Sequence, residues 1–317
     1  QWIDTGSDAN YSHARAYFND NFLLKTDEFF YEENNKIIKF FLDESKALKR
    51  YQRSKYIKEI IPDIYSSGQN FIWYNFIKGK LLSNTNDKII FINFINFLQK
   101  NIWSIELKNK KQIKELKDKS MRFYKEKTYD RVKIYIKNNK NADKASWINN
   151  TNVKPIYDLL SKVNWNEMAD GKFALFHGDP QPENVIVRDK NSFTMIDWRE
   201  DFGGSLKYGD VYYDLAKIYH SLIVTQKKIR DEKYFVSYED DFAQYKFSKR
   251  RNLIKYLDYF EEFINSNGYN LSKVKIISAL IYLNIAPLHH HPYSDLLFFH
   301  GKITLSKLLN NTSHIIK

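Results

Sequence analysis

The chain has 317 residues, 43% of them hydrophobic, no cysteine, and a formal net charge of +12. That length suits two lobes better than one core, and the lack of cysteine excludes disulfides, thiolate chemistry and cysteine-ligated zinc. Residues 108–144 hold 14 Lys or Arg against five Asp or Glu, so this one stretch carries +9 of the +12.

The first residue is Gln, which implies a chain cut from a longer polypeptide. No signal-peptide pattern opens it, and no apolar stretch reads as long enough to span a bilayer, the run 89–98 being broken by Asn93 and Asn96. Residues 21–26 read as a strand. Residues 28–32 and 36–41 read as a hairpin around Asn34–Asn35, a pair that tolerates positive φ. Asp43 stands where it caps a helix that begins at Glu44 and runs through Ala47, Leu48 and Tyr51. The apolar run 71–77 reads as a buried strand, with unusual φ expected at Gly79. Helical spacing then dominates, over about 86–104, 109–140, 152–162, 210–224, 247–267 and 271–285. In the basic stretch Ile113, Leu116, Met121, Tyr124, Val132, Tyr135 and Ile136 recur at helical intervals. Its charges are therefore expected on solvated outer faces, with no specific nucleic-acid partner.

The segment His177-Gly-Asp-Pro-Gln-Pro-Glu-Asn184 interrupts the helical pattern, and the apolar run 193–196 then ends in Asp197. The local reading is strand (172–176), loop, strand (185–188), turn (189–191) and strand (192–196), which puts both acids at adjacent strand ends. ATP-dependent phosphoryl transfer needs a carboxylate to orient a hydroxyl, and a few hard oxygen ligands for Mg²⁺. Asp179 supplies the first, Asn184 and Asp197 the second. A lone His-x-Asp is more often a satisfied histidine beside a loop carboxylate; the ordered set gives the pattern its weight.

These residues closely resemble the catalytic loop and metal segment of the aminoglycoside phosphotransferase and choline kinase families, small-molecule members of the protein-kinase-like fold. The resemblance implies an α+β, two-lobed fold, with a β-rich nucleotide-binding lobe over 1–79 and a helical lobe over 80–317. It makes Asp179 the catalytic base, and Asn184 and Asp197 the Mg²⁺ ligands. Asp210 and Asp214 match the acidic pair that opens the next helix, Asp214 receiving backbone N–H groups of the catalytic loop. It assigns ATP phosphates to a strand lysine, best matched by Lys39 held by Glu44, with Lys36 as rival on the opposite strand face. The adenine edge falls to backbone groups from Asn75 through Ile77 to Gly79. No GxGxxG occurs, so the phosphate lid stays unassigned between residues 26–27 and 4–10.

Arg199, Glu200 and Asp201 follow the metal Asp and either bind substrate or nucleotide or tie down a loop. His177 stands as a structural or substrate residue of the same loop, and His220 reads as a core histidine. His289-His-His291 reads as packing or pocket wall rather than metal ligand. More finely, Ile196-Asp-Trp-Arg-Glu-Asp-Phe-Gly-Gly204, Gly209-Asp-Val-Tyr-Tyr-Asp-Leu-Ala-Lys-Ile-Tyr-His220 and Asn284-Ile-Ala-Pro-Leu-His-His290 look like the kinase module of bacterial surface-polysaccharide proteins. There it can follow a nucleotidyltransferase, and Trp2-Ile-Asp-Thr-Gly6 is similar to the junction. The expected activity is transfer from ATP (or GTP) to a hydroxyl of a sugar, polyol or amino alcohol, choline or ethanolamine included, in the cytoplasm. Two other classes stand beside it: a pseudokinase-like interaction module using the basic face, and metal-dependent hydrolysis by His177 and Asp179.

Overall fold

A computed structural model of the protein describes residues 28–66 and 68–312. The strand at 21–26, the lid segments 26–27 and 4–10 and the junction at 2–6 lie outside the described residues. The architecture is α+β, in two compact units. One holds residues 28–51 and Ile64–Phe76, the other Gln52–Asp63 and everything from Ile77 on. The boundary thus falls before Gly79, and residues 52–63 go with the helical unit rather than with the β-rich one.

The first unit is an antiparallel sheet. Strands β1 (Glu28–Glu33), β2 (Lys36–Phe41), β3 (Tyr65–Ser66) and β4 (Phe71–Asn75) lie in the order β1-β2-β4-β3. Asn34 and Asn35 turn the hairpin with φ of 49° and 59°, the doubly left-handed turn whose twist matches the strands. Asp43 Oδ1 accepts from Ser45 N at 2.9 Å and opens helix α1 (Glu44–Ser54). Phe41, Ala47, Ile72 and Tyr74 form the core of this unit.

The second unit is mostly helical. Strand β5 (Lys80–Leu81) leads to α2 (Lys88–Leu98), capped by Asp87, and α3 (Lys110–Met121), capped by Asn109. The stretch expected as one helix over 109–140 passes through a π turn at Arg122–Glu126 before α4 (Lys127–Asn138). Short strands β6 (Trp147–Ile148) and β7 (Thr151–Asn152) and helices α5 (Ile156–Ser161) and α6 (Trp165–Ala169) precede the catalytic segment. That segment contains β8 (Phe173–Leu175), β9 (Val185–Asp189), β10 (Ser192–Met195) and β11 (Tyr208–Asp210), then α7 (Val211–Ile223). After α8 (Gln226–Arg230), a hairpin β12 (Tyr234–Glu239) and β13 (Phe242–Phe247) occupies residues to which the sequence pattern gave no element. Helices α9 (Arg251–Ser266), α10 (Leu271–Ile285) and α11 (Tyr293–Thr312) complete the unit.

Helix α10 is buried along most of its length against α7 and α11. Leu271–Leu288 is long and apolar enough to cross a membrane, which the sequence reading missed. Most of it is buried, however, and Lys273 Nζ donates to the carbonyls of Glu167 and Asp170, both at 2.9 Å. It serves as the core helix. Of the basic stretch, all lysines and arginines face solvent except Lys119, Lys127 and Arg131, which are half-buried.

One strand expectation needs correction. β8 pairs with β11, whereas β9 and β10 form a separate sheet with β5, so Asp179 and Asp197 do not leave adjacent strand ends. The two segments are joined instead by Arg199 N donating to His177 O at 3.1 Å. Gly79 also differs from expectation. Its backbone is not left-handed; a Cβ there would stand 2.6 Å from the Val187 carbonyl oxygen, and it is this close approach that requires glycine.

Candidate active site

The loop between β8 and β9 is short of regular structure, so its backbone groups are satisfied by side chains from elsewhere. Asp214, fully buried in the first turn of α7, accepts from His177 N at 2.8 Å, Gly178 N at 2.6 Å and Trp103 Nε1 at 3.1 Å. Burial holds its carboxyl up at about 6 despite these bonds. Asp210 is the N-cap of the same helix, accepting from Tyr212 N, Lys172 N and Tyr124 Oη. Both carboxylates are thereby engaged by donors of the loop, of the helix start and of neighbouring side chains. Gly178 bends the loop at φ +88°, where a Cβ would also collide with Arg199 Cβ at 2.4 Å.

His177 is fully buried and its Nδ1 accepts from Asp179 N at 3.2 Å. It braces the loop and presents Asp179. Asn184 Nδ2 donates to Asp179 O at 3.0 Å, and Asn184 O accepts from Ile196 N at 2.9 Å. These bonds set Asn184 beside the residue before Asp197. Asp197 adopts φ +61°, a left-handed conformation that costs a non-glycine residue about 1–2 kcal/mol. With its amide nitrogen already engaged, Asn184 offers its oxygen, and Asp197 adds a half-buried carboxylate. That pair of hard oxygens fits Mg²⁺, which keeps water and phosphate as its other ligands. Among the described residues there is no cluster of three or more His, Cys, Asp or Glu able to hold a metal.

Two residues that the sequence reading did not single out complete this geometry. Lys217, three residues beyond Asp214 on α7, places Nζ 2.8 Å from Asp179 Oδ1. Burial alone would raise the Asp179 carboxyl; Lys217 reverses that and holds it below the usual carboxylate range. Its spacing from Asp214 was a usable signal, since residues three apart share a helix face. Arg53 had none. It is fully buried, its guanidinium lies 3.8 Å from the Phe176 ring centroid, and it donates to the carbonyls of Phe176, His177 (3.1 Å) and Arg199 (2.5 Å). This one side chain joins both halves of the site, and with Met195 N donating to Ile60 O at 2.7 Å it ties residues 52–63 to the helical unit.

Arg199 lies beside Glu200 at 3.6 Å, bonds to Asp201 O through Nε at 3.0 Å, and reaches the Tyr213 hydroxyl at 3.5 Å. His289, His290 and His291 diverge, His289 onto the Tyr293 ring and His291 onto Asp295 at 2.5 Å, as packing requires. His220 is buried and its ring stays neutral, its Nδ1 at 2.6 Å from Lys217 O.

Within the β-rich unit Lys39 is buried, and its Nζ stands 3.6 Å from Glu28. Glu28 also meets Arg50 at 3.3 Å and Lys46 at 3.7 Å. Glu44 is exposed and makes no ion pair with Lys39; the first turn of α1 turns it outward, and the lysine finds its carboxylate diagonally across the β1–β2 pair. The rival Lys36 is exposed over the Trp73 ring at 4.4 Å. Asn75 pairs with Lys36 at the end of β4, and the N–H of Phe76 is taken by Asn35 O at 2.7 Å, so Phe76 has no N–H to offer adenine. Ile77, half-buried, opens the second unit.

Residues 152–247, which contain every catalytic-loop residue and candidate metal ligand above, match the family model APH, described as a phosphotransferase enzyme family. No curated protein matches the sequence. Among solved structures, the gentamicin complex of APH(2")-IIa aligns over 97% of this chain and 99% of its own, at 14% identity and a TM-score of 0.50. An ethanolamine kinase from Plasmodium vivax aligns over 97% and 90%, at 13% identity and a TM-score of 0.45. The choline kinase of Cryptosporidium parvum aligns over 93% and 88%, at 11% identity and a TM-score of 0.41. At such identities the likeness is one of fold, and the fold is protein-kinase-like. Fold and matched segment together define the class, a phosphotransferase enzyme.

Proposed function

We propose that this chain transfers the γ-phosphoryl group of ATP to a hydroxyl of a small polar metabolite. The observation that carries the reading is the clamp on Asp179, whose loop is held by Asp214 from below and by Asn184 from the side. The acceptor hydroxyl donates its hydrogen bond to the Asp179 carboxylate. As the new O–P bond forms and the bond to the ADP leaving oxygen breaks, the hydroxyl proton passes late to that carboxylate. Mg²⁺, when bound by Asn184 Oδ1 and Asp197, would neutralise phosphate charge. Lys217 keeps Asp179 ionised between turnovers. Lys39 takes the phosphate-positioning role with Glu28 as its carboxylate, and backbone groups of Asn75 and Ile77 meet the adenine edge. The finer resemblance extends the reading to a bacterial surface-polysaccharide building block, made in the cytoplasm by a module fused to a nucleotidyltransferase, with GTP as the alternative donor.

A coupled ADP-release screen over sugars, polyols, amino alcohols, amino acids and their acidic counterparts tests this. Asp179→Asn should abolish acceptor-dependent release while Mg·ATP still binds within a few-fold of wild type. Near-normal turnover in that variant would overturn the assignment.

A further inference from the structure

The Phe123 ring, buried at the π turn before α4, carries two cations. Lys127 Nζ lies 4.4 Å from its centroid and Arg199 Cζ 5.1 Å. Arg131 follows Lys127 by four residues, hence on the same helix face. Lys217, 2.8 Å from Asp179, belongs to the same electrostatic neighbourhood. Phe202 and Tyr213 pack on Phe123 with ring centroids at 4.5 and 5.0 Å, giving the group an apolar base that strengthens charge interactions.

The charges do not balance. Lys217 is matched by Asp179, and Arg199 by Glu200 at 3.6 Å. Lys127 and Arg131 have no ion-pair or hydrogen-bond partner among the described residues, although both are half-buried in a stretch whose other basic residues, Lys119 apart, face water. Burial first, and then Arg199, Arg131 and Lys217, push the Lys127 ammonium well below its ordinary range. Such an arrangement costs free energy unless an anion completes it. Asp201 also acts on Arg199, but its carboxylate accepts from Gly204 N at 3.0 Å and pairs with neither Lys127 nor Arg131. Glu183, near Asp179, does not fill the role either. Neither of its buried oxygens is hydrogen-bonded, burial raises it to about 7, and the cations it faces are Arg250 and Arg230.

We propose that the phosphoryl acceptor bears an anionic group, carboxylate or phosphate, seated on Lys127, Arg131 and Arg199 while its hydroxyl reaches Asp179. This rests on the phosphotransferase reading above. An ammonium-bearing acceptor would meet repulsion at the same place.

The test is the ADP-release assay with matched acceptors that differ in charge: glycerol, glycerate and glycerol 3-phosphate; glucitol, gluconate and glucitol 6-phosphate; ethanolamine and choline. An anionic member should exceed its neutral counterpart at least tenfold in kcat/KM, and glycerate against glycerol 3-phosphate tells carboxylate from phosphate. Lys127→Gln/Arg131→Gln should raise KM for that acceptor at least tenfold and leave KM for ATP within twofold. A neutral or cationic acceptor with the higher kcat/KM overturns the proposal. Sulfate gives a readout independent of turnover. With Mg²⁺ and a non-hydrolysable ATP analogue bound, sulfate should raise the wild-type Tm saturably, above the linear rise excluded salts give any protein. The double variant should show the linear rise alone; equal responses overturn the site. A saturable response with Mg·ATP bound but no ADP release on any acceptor leaves the anion site standing and refutes the phosphotransferase reading.

Discussion

Asp214→Asn separates what holds the catalytic loop from what stabilises the fold. The carboxylate receives three donors, His177 N, Gly178 N and Trp103 Nε1. Asparagine keeps one acceptor oxygen and turns the other into a donor facing an N–H, so at least one buried donor is stranded, at about 1–3 kcal/mol. Against this stands the charge. Burial raises the Asp214 carboxyl from 3.8 to about 6. A group raised on folding contributes its stability below the unfolded value and loses it as pH rises through the folded one. At pH 7 the ionised side chain therefore costs the fold about 3 kcal/mol relative to a neutral one, at about 1.4 kcal/mol per pKa unit. The two effects nearly cancel, so equilibrium urea unfolding at pH 7 should show a change within about 2 kcal/mol. As pH falls from 6 towards 4, wild type should gain on the variant. Turnover should nevertheless fall about 100-fold, because the loop that presents Asp179 is no longer held to within a fraction of an ångström. Wild-type kcat in Asp214→Asn, or a stability loss beyond about 4 kcal/mol, would refute this reasoning.

Lys39→Ala should lower kcat/KM for ATP at least about tenfold, or 1.4 kcal/mol. Glu28→Gln should act in the same sense and Glu44→Ala should not; steady-state kinetics that reverse this order would restore the helix glutamate. The His220 ring is held neutral, its pKa lowered from 6.5 to about 3 chiefly by burial. A base lowered on folding keeps its full contribution above 6.5 and loses it as pH falls towards 3. At pH 5 this costs about 2 kcal/mol, so His220→Gln should flatten the fall of Tm between pH 7 and 5; parallel Tm profiles would show that the ring is not held neutral.

The parts of the site legible in the sequence were those carried by local pattern. The Asn34–Asn35 hairpin, the strands flanking Asp179 and the Asp214 clamp depend on residues a few positions apart or on motifs with fixed order. What escaped was long-range. Arg53 reaches the carbonyls of Phe176, His177 and Arg199 across more than 120 residues, and nothing near it in sequence announces a buried arginine. Glu28 displaced Glu44 because a strand pair brings diagonal side chains together while the first turn of a helix can face solvent. Lys127 and Arg131 were hidden by their neighbours: a run this basic reads as one solvated face, and the π turn at Arg122–Glu126 that precedes the two inward members leaves no mark in composition.

The most direct measurement follows the phosphoryl group itself. Protein with Mg²⁺ and γ-labelled ATP, offered the anionic acceptors above, should pass label to an acid-stable small-molecule product. Asp179→Asn should pass none while still binding nucleotide. Label appearing only as inorganic phosphate, or appearing in product at equal rates with both proteins, would contradict the account.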